Sequence, residues 1–86
     1  DDFTLLSNYP NPFNPSTTIT FSLDEPERGK LKILNIRGQL LATLVDRYLP
    51  AGKYEETWDA GGATGIYWAV LETNRYRKMI KMTAVH

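Results

Sequence analysis

Thr18-Ile19-Thr20-Phe21-Ser22-Leu23 alternates strictly between hydroxyl and large apolar side chains. Successive side chains of a β-strand point to opposite faces, so Ile19, Phe21 and Leu23 share one face and Thr18, Thr20 and Ser22 the other. The stretch reads as a half-buried strand, one side on a core and one in water. Downstream, Asp24-Glu25-Pro26-Glu27-Arg28-Gly29 breaks the alternation with charge, proline and glycine, which is turn chemistry. Lys30 to Ile36 resumes it, with Leu31 and Ile33 inward and Lys30 and Lys32 opposed. Arg37-Gly38-Gln39 is the next turn, Gly38 being the position suited to positive φ. Leu40 to Val45 is a continuous apolar run whose brevity and flanking turn signals predict a buried strand.

Asp46 to Leu49 leads into Pro50-Ala51-Gly52, and Lys53 to Trp58 alternates again with Tyr54, Glu56 and Trp58 on one face. Asp59 to Gly65 is a glycine-rich connection, and Ile66 to Thr73 is the most β-prone stretch. Asn74-Arg75 sits where a two-residue hairpin turn belongs, and a final strand runs from Tyr76 to about Thr83. Six or seven short strands at intervals of about 10 to 12 residues, with no clear amphipathic helix, predict an all-β, small antiparallel sandwich.

Upstream of the first strand, Asn8-Tyr9-Pro10-Asn11-Pro12-Phe13-Asn14-Pro15 packs three prolines and three asparagines into eight residues. Each proline fixes φ and removes a backbone donor, which rules out helix and central strand. Tyr9 and Phe13 are apolar anchors that a solvated tether does not need. Residues 1–16 therefore read as an extended, ordered lead-in, and 17–83 as the sandwich of a single domain spanning 1–86. Asn11, Pro12, Phe13, Asn14 and Pro15 are expected to cover one end of it with Phe13 inserted.

At 86 residues the chain is one small domain, and 42% hydrophobic residues, with two Trp, five Tyr and three Phe, argue against disorder. Ten basic residues against ten acidic leave no net charge, so no overall field draws the chain to nucleic acid or an anionic membrane. The absence of cysteine excludes disulfides and thiolate metal sites. No apolar run has the length of a membrane helix and no leader of the charged-then-apolar type is present, so direct membrane insertion is not expected.

The chain offers a single histidine, His86 at its last position, which is expected to be frayed. Asp1, Asp2, Asp24, Glu25 and Glu27 lie in the terminus and a turn and read as solvated carboxylates. Gly61-Gly62-Ala63-Thr64-Gly65 lacks the lysine and the following helix of a phosphate loop. No enzymatic role and no cofactor or metal are expected. Trp58, Tyr67 and Trp68 could stack on sugar rings, but Tyr67 and Trp68 are adjacent and point to opposite faces, which puts one in the core, and Trp58 is expected to cap a core edge. Glu56 is the misfit among inward-facing residues, which places it at a rim or beside a basic partner.

From Asn8 to Thr18, through Asn35-Ile36-Arg37-Gly38-Gln39, Ala51-Gly52-Lys53-Tyr54, Thr57-Trp58-Asp59 and Gly65-Ile66-Tyr67-Trp68 to Arg77-Lys78-Met79, the chain resembles the C-terminal sorting domain of the type IX secretion system, type A. The likeness runs from about residue 5 to residue 82. It implies an immunoglobulin-like β-sandwich, non-catalytic, that directs an N-terminal passenger through the periplasm and across the outer membrane to the cell surface or beyond. Partners implied are the translocon and a surface sorting peptidase, with the domain a monomer. Gly38, Trp58, Asp59, Gly65 and Tyr67 join residues 11–15 as structural motif positions. Two departures stand out: Glu56 replaces a usually apolar residue, and Thr83-Ala84-Val85-His86 closes the chain where members commonly end near a basic residue.

A translocon that handles many passengers must read the tag's own fold, and exposed strand edges suit that task. The last strand, Arg75 to Met82, holds four of the ten basic residues. Arg77, Lys78, Met79 and Lys81 are therefore the candidate recognition residues. A carbohydrate-binding or spacer sandwich of a secreted hydrolase, and a flagellar hook-cap immunoglobulin-like domain, are the rival readings.

Overall fold

The computed structural model describes residues 6–86. Asp1, Asp2 and the rest of the first five residues, expected in the solvated terminus and lead-in, lie outside the described residues. Seven strands follow: β1 (Leu6–Tyr9), β2 (Ser16–Leu23), β3 (Glu27–Asn35), β4 (Leu40–Leu49), β5 (Gly52–Asp59), β6 (Gly65–Glu72) and β7 (Arg77–Ala84). They form two antiparallel sheets, β1-β2-β5 and β4-β3-β6-β7. This is an immunoglobulin-like sandwich with β4 attached to the larger sheet.

The alternation of β2 determines how the layers meet. Ile19, Phe21 and Leu23 are buried against Leu31 and Ile33 of β3, Ala69 and Leu71 of β6, and Met82 of β7. Each fully buried large aliphatic or aromatic side chain is worth about 1.5–3 kcal/mol of transfer free energy, so this interlayer cluster carries the stability. Aromatic rings close the ends. Phe21 stacks on Tyr54, while Trp58 meets Phe13 and Tyr67 edge to face at centroid distances of 6.0 and 5.0 Å. Of the adjacent pair, Tyr67 enters the core and Trp68 faces outward, half-buried. Glu56 is half-buried on β5, an edge strand, so its carboxylate has a route to solvent.

Three segments differ from the sequence reading. β1 is a strand, paired with β2 from Leu6↔Phe21 to Tyr9↔Thr18, within a segment read as lead-in. β3 begins at Glu27, so the turn covers less than residues 24–29, and Glu27 is buried at 7% exposure instead of solvated. β4 is an edge strand, not a buried one. Its register to β3 slips at Leu31/Lys32 and again at Ile33/Leu34, leaving Leu44 and Leu41 as extra residues. Bulges of this kind bend and twist an edge, and here they leave Leu40 57% and Leu41 47% exposed while Val45 is buried.

The turns use local side-chain chemistry. Asn35 Oδ1 accepts from the amides of Arg37 and Gln39 at 2.9 and 3.0 Å, and its Nδ2 donates to Gln39 Oε1 at 2.8 Å. Gly38 takes φ 84° in this turn, where a Cβ would be strained. After β5, Asp59 Oδ1 accepts from Gly61 N at 2.6 Å and starts the glycine-rich loop that ends at Gly65, the first residue of β6.

The proline-rich lead-in crosses from one sheet to the other. Its Tyr9-Pro10, Asn11-Pro12 and Asn14-Pro15 bonds are cis. Thr17, 2% exposed, donates to Pro10 O at 2.9 Å and accepts from Asn8 Nδ2 at 3.1 Å. Asn11 Nδ2 reaches Asn8 Oδ1 at 3.3 Å and Lys81 O at 3.2 Å, while Asn11 Oδ1 accepts from Thr83 N at 3.0 Å. The Asn11 carboxamide thus takes the place of a peptide unit beside β7. Phe13 continues the pairing in parallel, its N donating to Thr83 O at 2.9 Å and its O accepting from Val85 N at 2.8 Å. Its ring, 1% exposed, plugs the core. Pro12, Asn14 and Pro15 are exposed, and Pro15 O accepts from Ala60 N at 3.0 Å, tying the lead-in to the end of β5.

Candidate recognition surface

The four basic-strand candidates lie on β7, at the edge of the larger sheet. Side-chain alternation divides them. Arg77, Met79 and Lys81 face outward from the sandwich, whereas Lys78, one residue out of phase, is half-buried on the other side of the strand. The structure brings three of the four together.

Register extends their face across all four strands. Asp46, Lys30, Glu72 and Arg77 form one cross-strand row. Thr43, Lys32, Val70 and Met79 form the next, and Leu40, Leu34, Trp68 and Lys81 the third. Lys32 Nζ lies 2.8 Å from Glu72 Oε1 and Arg77 Nε 3.1 Å from Glu72 Oε2. Hydrogen bonds from Lys32 and then Arg77 hold the Glu72 carboxyl below the usual carboxylate range against the opposing effect of partial burial. Arg77 Nη1 also lies 3.8 Å from Met79 Sδ, so its guanidinium is fixed over the sheet. Val70 is fully buried without belonging to the interlayer cluster, which means the outer side chains pack over it. Met79 stays 42% exposed.

The β7 edge is less open than the sequence implies. Lys81 O, Thr83 N, Thr83 O and Val85 N are all engaged by Asn11 or Phe13. A strand edge is an aggregation hazard unless covered or charged, and this one is covered from Lys81 onward. Sequence reasoning missed the role of Asn8 and Thr17, which anchor the cover through Asn11 and Pro10 O; the Asn-Thr pair flanking the proline run was the available signal.

At the opposite end of the strands, Arg75 Nη2 pairs with Asp24 Oδ1 and Glu27 Oε2, each at 2.8 Å. Arg75 therefore belongs to an ion cluster joining the β2–β3 and β6–β7 turns. Its hydrogen bond lowers the Asp24 pKa, and the carboxylates in turn, Glu27 first, push the guanidinium further up.

Trp58 and Tyr67 are packed edge to face with each other, and Trp68 lies on the other side of β6, so the three candidate aromatics form no coplanar sugar platform. A model of the secretion system C-terminal sorting domain family matches residues 7–85. The chain belongs to that family. The match takes in the proline-rich segment and every strand after β1 in full. A search of curated proteins finds no match. The sandwich is accordingly a sorting signal for type IX secretion, a tail that marks export to the cell surface or extracellular space.

Proposed function

We propose that this sorting domain carries a passenger attached at its N-terminal side through the outer membrane, has no reaction centre of its own, and is of the type A variant. The match over residues 7–85 carries the reading, because it covers the proline-rich segment together with all of the sandwich but its first residue. The translocon and a surface peptidase are its partners, and the passenger is released or attached at the surface after the domain is removed. Arg77, Met79 and Lys81 are read by the machinery. In support, they share one outward face, and that face belongs to the tag whatever the passenger is.

A fluorescent passenger fused to the 86 residues should reach the surface or medium, and the same passenger without them should remain in the periplasm. The double substitution Arg77→Glu, Lys81→Glu should cut secretion while leaving the fusion intact, since neither side chain is in the core. Deleting residues 77–86 would be a poorer test, because it removes the buried Met82 and Ala84 as well. Normal export of the double variant would remove β7 from the recognition site.

A further inference from the structure

The chain is electrically neutral, yet its charges are not evenly distributed. The outer side of the four-stranded sheet presents five cations, Arg28, Lys30, Lys32, Arg77 and Lys81, against the two carboxylates Asp46 and Glu72. The outer side of the smaller sheet is rich in hydroxyls and carries one cation against two carboxylates, pairing Ser16 with Asp59, Thr18 with Thr57, Thr20 with Glu55 and Ser22 with Lys53. One row further from the charged row than Thr43, Lys32, Val70 and Met79 runs an apolar lane of Leu40, Leu34 and Trp68, next to the covered Val70.

We propose that the outer face of the four-stranded sheet, beyond β7 itself, docks onto a partner protein whose contacting surface is acidic around an apolar patch. This rests on the sorting function. Charge complementarity selects an acidic counterpart: a surplus of three positive charges on one face of a neutral molecule steers and orients its encounter with such a surface. Trp68, Met79 and Arg77, on β6 and β7 of this face, are of the residue types that concentrate binding energy in protein interfaces. A membrane surface fits less well, because interfacial binding sinks the apolar side about 5–10 Å below the headgroups. Here Leu34 and Trp68 are half-buried within the sheet, and the lysines and arginines of adjacent rows would have to sink with them. Four strands at about 4.8 Å spacing and rows about 7 Å apart give a face of roughly 400 Å², about half of what each partner buries in a stable complex. The contact is therefore brief, as suits cargo that must be handed on.

The test uses the full passenger fusion in secreting cells. Lys30→Glu with Lys81→Glu, and separately Leu40→Gln, are compared with Lys53→Glu on the opposite sheet, with protease resistance of the fusion as the folding control. Photoreactive p-benzoylphenylalanine replaces Leu40 in one fusion and Thr20 in another, and crosslinked peptides are sequenced. The expected result is a loss of secretion of at least about fivefold for the face variants and less than about twofold for Lys53→Glu, as for rim charges that set encounter rates. Crosslinks should form from position 40 and not from position 20, to one protein, through a peptide rich in Asp and Glu. Face variants that export normally while removal of the domain blocks export would overturn the docking face and leave the sorting function intact. Export without the domain would overturn both. Crosslinks to lipid, to a basic peptide, or equally from both faces would overturn the docking face.

Discussion

Phe13 shows how one side chain can organise a segment that has almost no regular structure. Its ring is 1% exposed and meets Trp58 edge to face. Replacing it with alanine should destabilise the domain by about 3 kcal/mol, the usual range for a buried aromatic. A change below about 0.5 kcal/mol in denaturant melts would place the ring outside the core. The sequence marked Tyr9 and Phe13 as anchors because a solvated tether has no use for them; Phe13 is one, whereas Tyr9, 83% exposed, is not. The sequence did not reveal the partners that Asn11 finds on β7, which lie 70 and 72 residues away and leave no local spacing to read. Glu27 was equally hidden. Beside Asp24, Glu25 and Pro26 it has the composition of a solvated turn, but pairing with Arg75 lets it be buried. Arg75→Met should destabilise the domain clearly more than the loss of an exposed ion pair, since it strands a buried carboxylate. Arg28→Met should cost under about 0.5 kcal/mol, because its partner Asp46 is exposed. Equal losses in thermal or denaturant melts would contradict the difference in burial.

Strands with large apolar residues at every second position were legible, and those without were not. β2 and β3 keep that period, so their inward residues could be named in advance; β6 is apolar at almost every position, so which of Tyr67 and Trp68 faces the core could not be read. β1 has only Leu6 and Tyr9 as large apolar residues, out of phase with each other, and its pairing with β2 is a tertiary fact. In β4 two bulges shift the phase, so a run of apolar residues serves both faces and Leu40 emerges on the outside. The lead-in was legible as extended and not as a covering for β7. Its pairing makes a prediction for amide exchange. The Thr83 and Val85 amides, bonded to Asn11 Oδ1 and Phe13 O, should exchange slowly. Asn11→Ala should speed exchange at Thr83 more than at Val85, and equal rates at Thr83 in the two proteins would show that the carboxamide does not hold the edge.

Taken as one body, the molecule combines zero net charge with ion clusters at defined places, and these set its response to acid. The Asp24 and Glu72 carboxyls titrate below their ordinary range of about 4 in the folded state. Their ion pairs therefore favour folding above that range, and the contribution is lost as pH falls through the depressed folded values. The melting temperature should be level between about pH 5 and 8 and fall below about pH 4, with a shallower fall in Glu72→Gln. Superimposable acid profiles for the two proteins would exclude Glu72 as a contributor. The clasp between Phe13 and the segment from Thr83 to Val85 has a consequence for synthesis. A chain that stops before Thr83 offers the proline segment no partner strand, so that segment stays unclasped until β7 has been made.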